Sequence, residues 1–417
     1  MKLEIHTNNL VQDTVHASPV AKVCMYMLGT ARSDPRVMKD AVALVNSGFV
    51  VTIVDVETEH QRPAEEDISG VHIKHIFMPS WAKPARFKPW FLVKLVVLLS
   101  RGIIQLLRTE ADIYHAHVER SFPACYIAAR LRKKPFISDS PELSLSDPRV
   151  KRWRLLSNLA ARCLTYLMSH STAVIATSPY HGQEMSKSYH ASEITIIRNI
   201  PWYQVATKGN KLHQYLLLKQ DIRIALYQGG LQPNRGLHAL IHAAPFLEPN
   251  IVIVLMGGAV EETRRQLESL IASKGVADRV KIIPPVPYEE LLSWTASADI
   301  GLTILPPDYS QSIRGCLPNK LFEYLMAGLP VLTSQLDSIA ELVKTYDVGR
   351  VISSLAPEDI ATAINTMLAD PNALAHMHQN ASKVARDEFY WEKESQKLVQ
   401  LYHHILTGTS KGNIRGN

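Results

Sequence analysis

Two doubly wound α/β domains in tandem, facing each other across a cleft, are what this sequence predicts, on three observations. Short β-rich apolar runs alternate with longer stretches of helical period, the pattern of a parallel sheet covered by helices on both faces. The alternation breaks once, in ITIIRNIPWYQVATKGN (194–210), and then starts afresh. The 417 residues exceed what one ordinary domain holds, at roughly 100–200 residues per domain.

In the first half, AKVCMYML (21–28) reads as a strand that enters the loop Gly29–Asp34. A helix from about Pro35 to Ser47 follows, with Gly48 as its stop signal. FVVTIVDV (49–56), VHIKHIFM (71–78), ADIYHAHV (111–118), PFISDS (135–140) and TAVIATS (172–178) supply further strands. The second half repeats the scheme with IRIALYQGG (222–230), a helix from about Leu237, IVIVLMGG (251–258), VKIIPPV (280–286) and DIGLTIL (299–305). A helix near Asn319–Ala327, the strand PVLTS (330–334) and the short run GRVIS (349–353) complete it. One long amphipathic stretch, about Asn372–Leu406, is expected to brace both domains. The boundaries are therefore 1–203 for the first domain, 204–385 for the second, 386–407 for a closing helix and 408–417 for a mobile tail. In open α/β sheets ligands bind at the carboxyl ends of the strands, so the gap between two such domains is the expected site.

With 46% hydrophobic and 20% charged residues, the composition excludes a disordered, collagen-like or disulfide-stapled chain. Cys24, Cys125, Cys163 and Cys316 show no paired spacing, which argues against a zinc site or disulfide framework and for reduced thiols in the cytoplasm. The start MKLEIHTNNL lacks the apolar run of a signal peptide. All the excess positive charge lies in the first half, with a net +7 over residues 1–205 against −1 for the rest. Part of it falls in 80–108, which has no acidic residue and contains WFLVKLVVLLSRGIIQLLR (90–108). Lys94 and Arg101 argue against a spanning helix. Two readings remain, a core helix with solvated cations, or a basic amphipathic face in peripheral contact with an anionic membrane surface.

The richest motif is LPNKLFEYLMAGLPVLTS (317–334). Pro318 suits the first turn of a helix, Leu321, Phe322, Leu325 and Met326 form its apolar stripe, and Gly328 with Pro330 ends it. Asn319 and Lys320 stand at its start, where free N–H groups and the helix dipole favour an anion. Glu323 lies one turn on and can accept two hydrogen bonds from a diol, so a phosphate plus a ribose satisfies both residues. A surface Lys–Glu pair of little energetic weight is the plain alternative. A second glycine-rich turn, Tyr227-Gln228-Gly229-Gly230, leads into Asn234-Arg235-Gly236. The glycines admit a ligand close to the backbone, and Arg235 can pair with a diphosphate in bidentate fashion. Neither half carries the GxGxxG fingerprint of a dinucleotide site, which disfavours an NAD-dependent oxidoreductase.

Residues 317–334 and 227–237 resemble the nucleotide-sugar-binding domain of glycosyltransferase family 4 and its GT-B relatives. SDPRVMKDAVALVNSGFVVTIV (33–54), ADIYHAHV and PFISDSPEL (135–143) are similar to that family's acceptor-side domain. VKIIPPVPYEELLSWTASADIGL (280–302) and YWEKESQKL (390–398) are similar to the rest of its second domain and closing helix, in the family's order. The resemblance implies retaining, metal-independent transfer of a hexosyl-type group from a UDP- or GDP-linked sugar, with no cofactor besides that co-substrate. The acceptor would be a glycan, a lipid-linked group or a small molecule; nucleic acid is not a partner. It also implies roles: Glu323 on the ribose hydroxyls, Arg235 on the phosphates, Val286 against the base, and Gly29 closing on the donor from the first domain. Three positions depart from the family pattern. Gly315 stands where a hexose-contacting glutamate is common, Gly230 where an arginine is, and Pro141 where a sugar-contacting histidine is. Lys320 is a candidate substitute for the missing cation. The departures at Gly315 and Pro141 keep a non-catalytic nucleotide-sugar-binding protein open, and the shared two-domain architecture keeps a nucleotide-sugar epimerase open.

Further candidates each carry a structural alternative. His115 and His117 alternate at a strand end, so they share one face and either orient substrate or simply pack; as a metal pair they lack a third ligand. Asp139 and Glu142 follow a strand and either orient an acceptor hydroxyl or cap a helix. The same choice applies to Asp34 and Arg36. Gly257 and Gly258 either line the nucleotide pocket or make a plain tight turn.

Overall fold

Strands Lys22–Met27 (β1), Val50–Glu57 (β2), Glu65–Ile68 (β3), Val71–Phe77 (β4), Ile113–His117 (β5), Phe136–Ser140 (β6), Ala173–Ala176 (β7) and Ile194–Ile196 (β8) form one sheet in the order β3-β4-β2-β1-β5-β6-β7-β8. The computed structural model describes residues 21–57, 62–77, 88–143 and 154–412, without the side chains of 88–92, 154–156 and 409–412. Every pairing in this sheet is parallel except β3 with β4. β1 sits centrally, with Val23 opposite both Val51 and Ile113. From Val23 to Met27 its residues are buried in the core on both faces because helices cover both. The second sheet runs β11-β10-β9-β12-β13-β14, with β9 Arg223–Gln228, β10 Ile251–Met256, β11 Val280–Ile283, β12 Ile300–Thr303, β13 Val331–Ser334 and β14 Gly349–Ile352. All its pairings are parallel. The two-domain α/β architecture is thus the predicted one.

Two strands went unread in the sequence. β3, EEDI, has one apolar residue and hangs on an edge, where water faces most of it. β8 lies inside the segment taken as linker, because its Ile run is directly followed by the Pro and polar residues that mark the crossing. The long C-terminal stretch also differs from expectation, since it is two helices, Pro371–Asp387 and Trp391–Gly412. Met377, Ala381 and Val384 of the first pack into the second domain's core. Trp391, Leu398, Tyr402 and Ile405 of the second pack into the first domain's core beside Val37, Leu44 and Phe49. The chain therefore changes domain within three residues, with Phe389 anchored in one core and Trp391 in the other. The Trp391 amide donates to the Pro201 carbonyl at 2.9 Å, and Trp202 meets Trp391 edge to face, which ties both crossings into one joint. The last helix runs through residues assigned to the mobile tail; 413–417 lie outside the described residues.

The basic segment is the helix Lys88–Arg108. Leu98, Leu99, Ile103 and Leu106 pack on the first sheet, as the core-helix reading expects, while Val93, Leu95, Val96 and Ile104 are exposed. Among the described residues no helix is long and apolar enough to cross a membrane.

Candidate functional site

The carboxyl ends of the two sheets enclose a cleft of about 1240 Å³ walled by both domains. From the second domain, β9 ends at Gln228 and turns at Gly229, whose φ of 118° is in the glycine-favouring region. Gly257, after β10, packs directly on this turn: a Cβ there would fall 1.9 Å from the Gly229 carbonyl oxygen. The glycine at 257 is thus required by backbone packing as well as by its place in the cleft wall. Arg235 closes the one-turn helix Pro233–Arg235, and Val286 follows β11. The helix Asn319–Met326 starts at the cleft with Pro318 as the residue before its first turn, one position earlier than expected. Gly229, Gly230, Arg235, Gly257, Val286, Pro318, Asn319, Lys320 and Glu323 all line this one cavity.

Lys320 is 9% exposed, and its Nζ makes no hydrogen bond among the described residues. The ammonium sits 3.5 Å from the centroid of the Tyr227 ring, whose π face supports a cation but leaves all three N–H bonds unmet. It lies over the glycine turn, 3.7 Å from where a Cβ of Gly229 would be, so a cation covers the turn that Gly230 leaves bare. Burial, then the neighbouring Arg235, lowers its pKa to about 7, with Glu323 partly offsetting them. Glu323 forms no ion pair with Lys320 among the described residues, so the two are not a surface pair. Instead the Gln228 amide donates to Glu323 Oε2, and Thr295 Oγ1 donates to Gln228 Oε1 at 2.6 Å. Burial raises the carboxyl pKa of Glu323 against that hydrogen bond and the charges of Lys320 and Lys39. Gln228 and Thr295 were not singled out in the sequence; the side chain before the double glycine was the available signal.

The first-domain candidates land differently. Asp139 accepts two hydrogen bonds from Arg36, Nε to Oδ2 and Nη2 to Oδ1, both at 3.0 Å, and a third contact joins Oδ2 to His117 Nδ1 at 3.1 Å. Burial works to raise the Asp139 pKa, but Arg36 and His117 together hold it well below the usual carboxylate range. The His115 and His117 rings lie 4.1 Å apart on one face, as the alternation predicts, and Tyr402 bonds His115 Nδ1 at 2.7 Å. Asp139 supplies the third potential ligand that local spacing concealed, and the three groups come within 4.8 Å of one another. Both of its oxygens already hold Arg36, so the cluster is furnished for a guanidinium. His117 and Asp139 consequently lie beneath the cleft and not in its wall, which Arg36 and Glu142 reach instead. Gly29 is likewise outside the wall; its carbonyl takes the Val56 amide, and the next turn is pinned by Ala31 N–H to Asp55. Asp34 caps the following helix through the amides of Arg36 and Val37, as one of its two readings expects, while Arg36 reaches the cleft wall.

The departure at Gly315 has a physical cause. A Cβ there would lie 2.0 Å from the Tyr180 ring, which the first domain presses against this backbone. Ser178 Oγ donates to the Gly315 carbonyl at 2.6 Å, and His181 Nε2 meets the Ser312 carbonyl at 3.0 Å. The space of a glutamate side chain is therefore filled by an interdomain contact. Pro141 remains in the wall, its carbonyl held by Thr177 Oγ1 at 2.8 Å.

Comparison with known proteins matches the two halves separately and in register with these domains. Residues 40–200 match the family described as Glycosyltransferase Family 4, and residues 210–384 match Glycosyl transferases group 1. The chain belongs to glycosyltransferase family 4. This glycosyltransferase is 23% identical to the D-inositol 3-phosphate glycosyltransferase of Thermobispora bispora, over 96% of this chain and 95% of that one. It is 27% identical to the protein of the same name from Xylanimonas cellulosilytica, with the same coverage of each. Among solved structures, sucrose-phosphate synthase from Thermosynechococcus elongatus superposes with a TM-score of 0.77 at 17% identity, over 93% of this chain and 99% of that one. Anabaena HepE in complex with UDP-glucose superposes with a TM-score of 0.69 at 16% identity, over 92% and 100%. The glycosyltransferase has the GT-B fold.

Proposed function

We propose that the protein transfers a hexosyl group, with retention and without a bound metal, from a UDP- or GDP-linked sugar to a glycan, lipid-linked or small-molecule acceptor. The observation that carries the donor half is the sealed ammonium of Lys320, which has no hydrogen-bonding partner of its own and shares the cleft with Arg235 and a helix start. Leaving a cation buried and unbonded is costly unless an anion arrives, and a diphosphate supplies one. As the glycosidic bond to the donor breaks, negative charge grows on the diphosphate, and fixed cations and N–H dipoles lower that barrier without reorganising. Glu323, oriented by Gln228, would take the ribose hydroxyls; Val286, in the cavity wall, would meet the base. The HepE complex with UDP-glucose supports a nucleotide-sugar donor on this fold. The retaining outcome rests on the family resemblance. A non-catalytic binder would share the same cleft, and turnover of the donor separates the two readings.

Thermal denaturation with UDP, GDP or ADP at millimolar concentration tests the donor half, because a ligand that binds only the folded state raises the midpoint. UDP or GDP is expected to protect the wild type. Lys320→Ala and Glu323→Ala are each expected to weaken that protection by about tenfold or more in apparent affinity, as for a lost charged hydrogen bond, while circular dichroism shows an intact fold. Full protection in both variants would place the donor elsewhere.

A further inference from the structure

We infer that the outer face of the three helices covering one side of the first sheet is a docking surface for an anionic lipid bilayer. The helices are Lys88–Arg108, Phe122–Arg132 and Arg154–Ser169. They pack side by side on the same core, with Tyr126 of the second hydrogen-bonded to Tyr166 of the third at 3.3 Å. None of the three contains an aspartate or glutamate. Each turns bulky aliphatic side chains to solvent, with Val96 60%, Leu131 64% and Leu159 66% exposed. Interleaved with them, Arg108, Arg130, Lys133 and Arg162 are exposed and form no ion pair among the described residues. The acidic side chains at the nearby strand start, Glu110 and Asp112, are already bonded to Lys22 and Lys134.

The mixture selects the occupant. Exposed apolar surface flanked by charge marks an interaction site, and cations without acidic neighbours call for an anionic partner. A nucleic acid would satisfy the cations but leave Val96, Leu131 and Leu159 in water. A bilayer with anionic headgroups satisfies both at once: the aliphatic side chains enter the headgroup–acyl boundary and the cations stay at the phosphates. This extends the charge reading of 80–108 to two helices that the sequence did not single out. The face is built from residues outside the cleft wall, so docking leaves the donor pocket open, and a lipid-linked acceptor would be presented at the same surface.

Vesicle co-sedimentation tests the inference, with phosphatidylcholine vesicles and phosphatidylcholine–phosphatidylglycerol vesicles in low salt. Wild type is expected to sediment with the anionic vesicles only and to be released by salt. The pair Val96→Asp/Leu131→Asp and the pair Arg130→Glu/Arg162→Glu should each lower vesicle affinity by about tenfold or more, since each cation near the surface contributes several-fold. Arg265→Glu, on the second domain, should bind as wild type. Protection by UDP in the absence of lipid reports the donor site separately, and its persistence shows that the double variants are folded. Equal sedimentation with neutral vesicles, none with anionic ones, or unchanged binding of both double variants would overturn the inference. So would a wild-type dimer in solution that the same substitutions dissociate without any vesicle binding.

Discussion

The two domains carry buried charge at the same place, the carboxyl ends of their strands, yet they compensate it differently. In the first domain Arg36 and Lys39 face Asp40 and Asp139, and the strongest pair, Arg36 with Asp139, is closed by two hydrogen bonds, while both Asp40 oxygens are buried with no hydrogen bond among the described residues and depend on the neighbouring cations alone. In the second, Arg235 and Lys320 outnumber Glu323, which spends its hydrogen bond on Gln228. A cluster that balances its own charge holds a scaffold together. A cluster with a surplus cation and an unmet ammonium is complete only when a ligand brings the opposite charge.

Breaking the closed cluster should produce the largest effect. Arg36→Ala leaves the Asp139 carboxylate buried without its partner, so the unfolding free energy should fall by about 3–5 kcal/mol in urea denaturation. Lys320→Ala should change it far less, since no hydrogen bond is lost with the amine; comparable losses in the two variants would erase the contrast. A smaller effect comes from pH. With the pKa of Lys320 lowered to about 7, the ammonium proposed to bind a diphosphate is depleted as pH rises through that value. Nucleotide affinity should therefore weaken above pH 7 by up to about tenfold per pH unit, with a proton taken up on binding. Calorimetry in buffers of different ionisation enthalpy reads that proton directly, and Lys320→Arg should abolish both the slope and the uptake. The smallest change expected is for Thr295→Val, which frees Gln228 Oε1 and loosens the hold on Glu323. About 1 kcal/mol, or roughly fivefold in donor KM with kcat little changed, is the expected loss. An unchanged KM would show that Gln228 orients Glu323 without help.

Much of this arrangement was legible locally. The Lys320–Glu323 spacing, the apolar stripe beside it and the Gly229–Gly230 turn are short-range patterns; the fold buried the stripe in the second domain's core and carried the other two into one cleft. For Asp139 and His117 the sequence left a substrate role and a structural one open, because position at a strand end says that a side chain is near a site, not whether a neighbour has already claimed it. Arg36 claims Asp139 from 103 residues away, a separation no local pattern reveals. Gly315 was visible as a departure, but its cause is Tyr180, brought in by the other domain.

Sequence alone determined the two repeats of strand and helix, the basic first half and the lysine at a helix start, because periodicity, net charge and helix-end chemistry act over a few residues. Tertiary structure decided which charges are spent and which are kept in reserve. Burial strips the water from Arg36, Asp139 and Lys320 alike, and only packing between distant segments says whether Arg36 meets a carboxylate and Lys320 meets none.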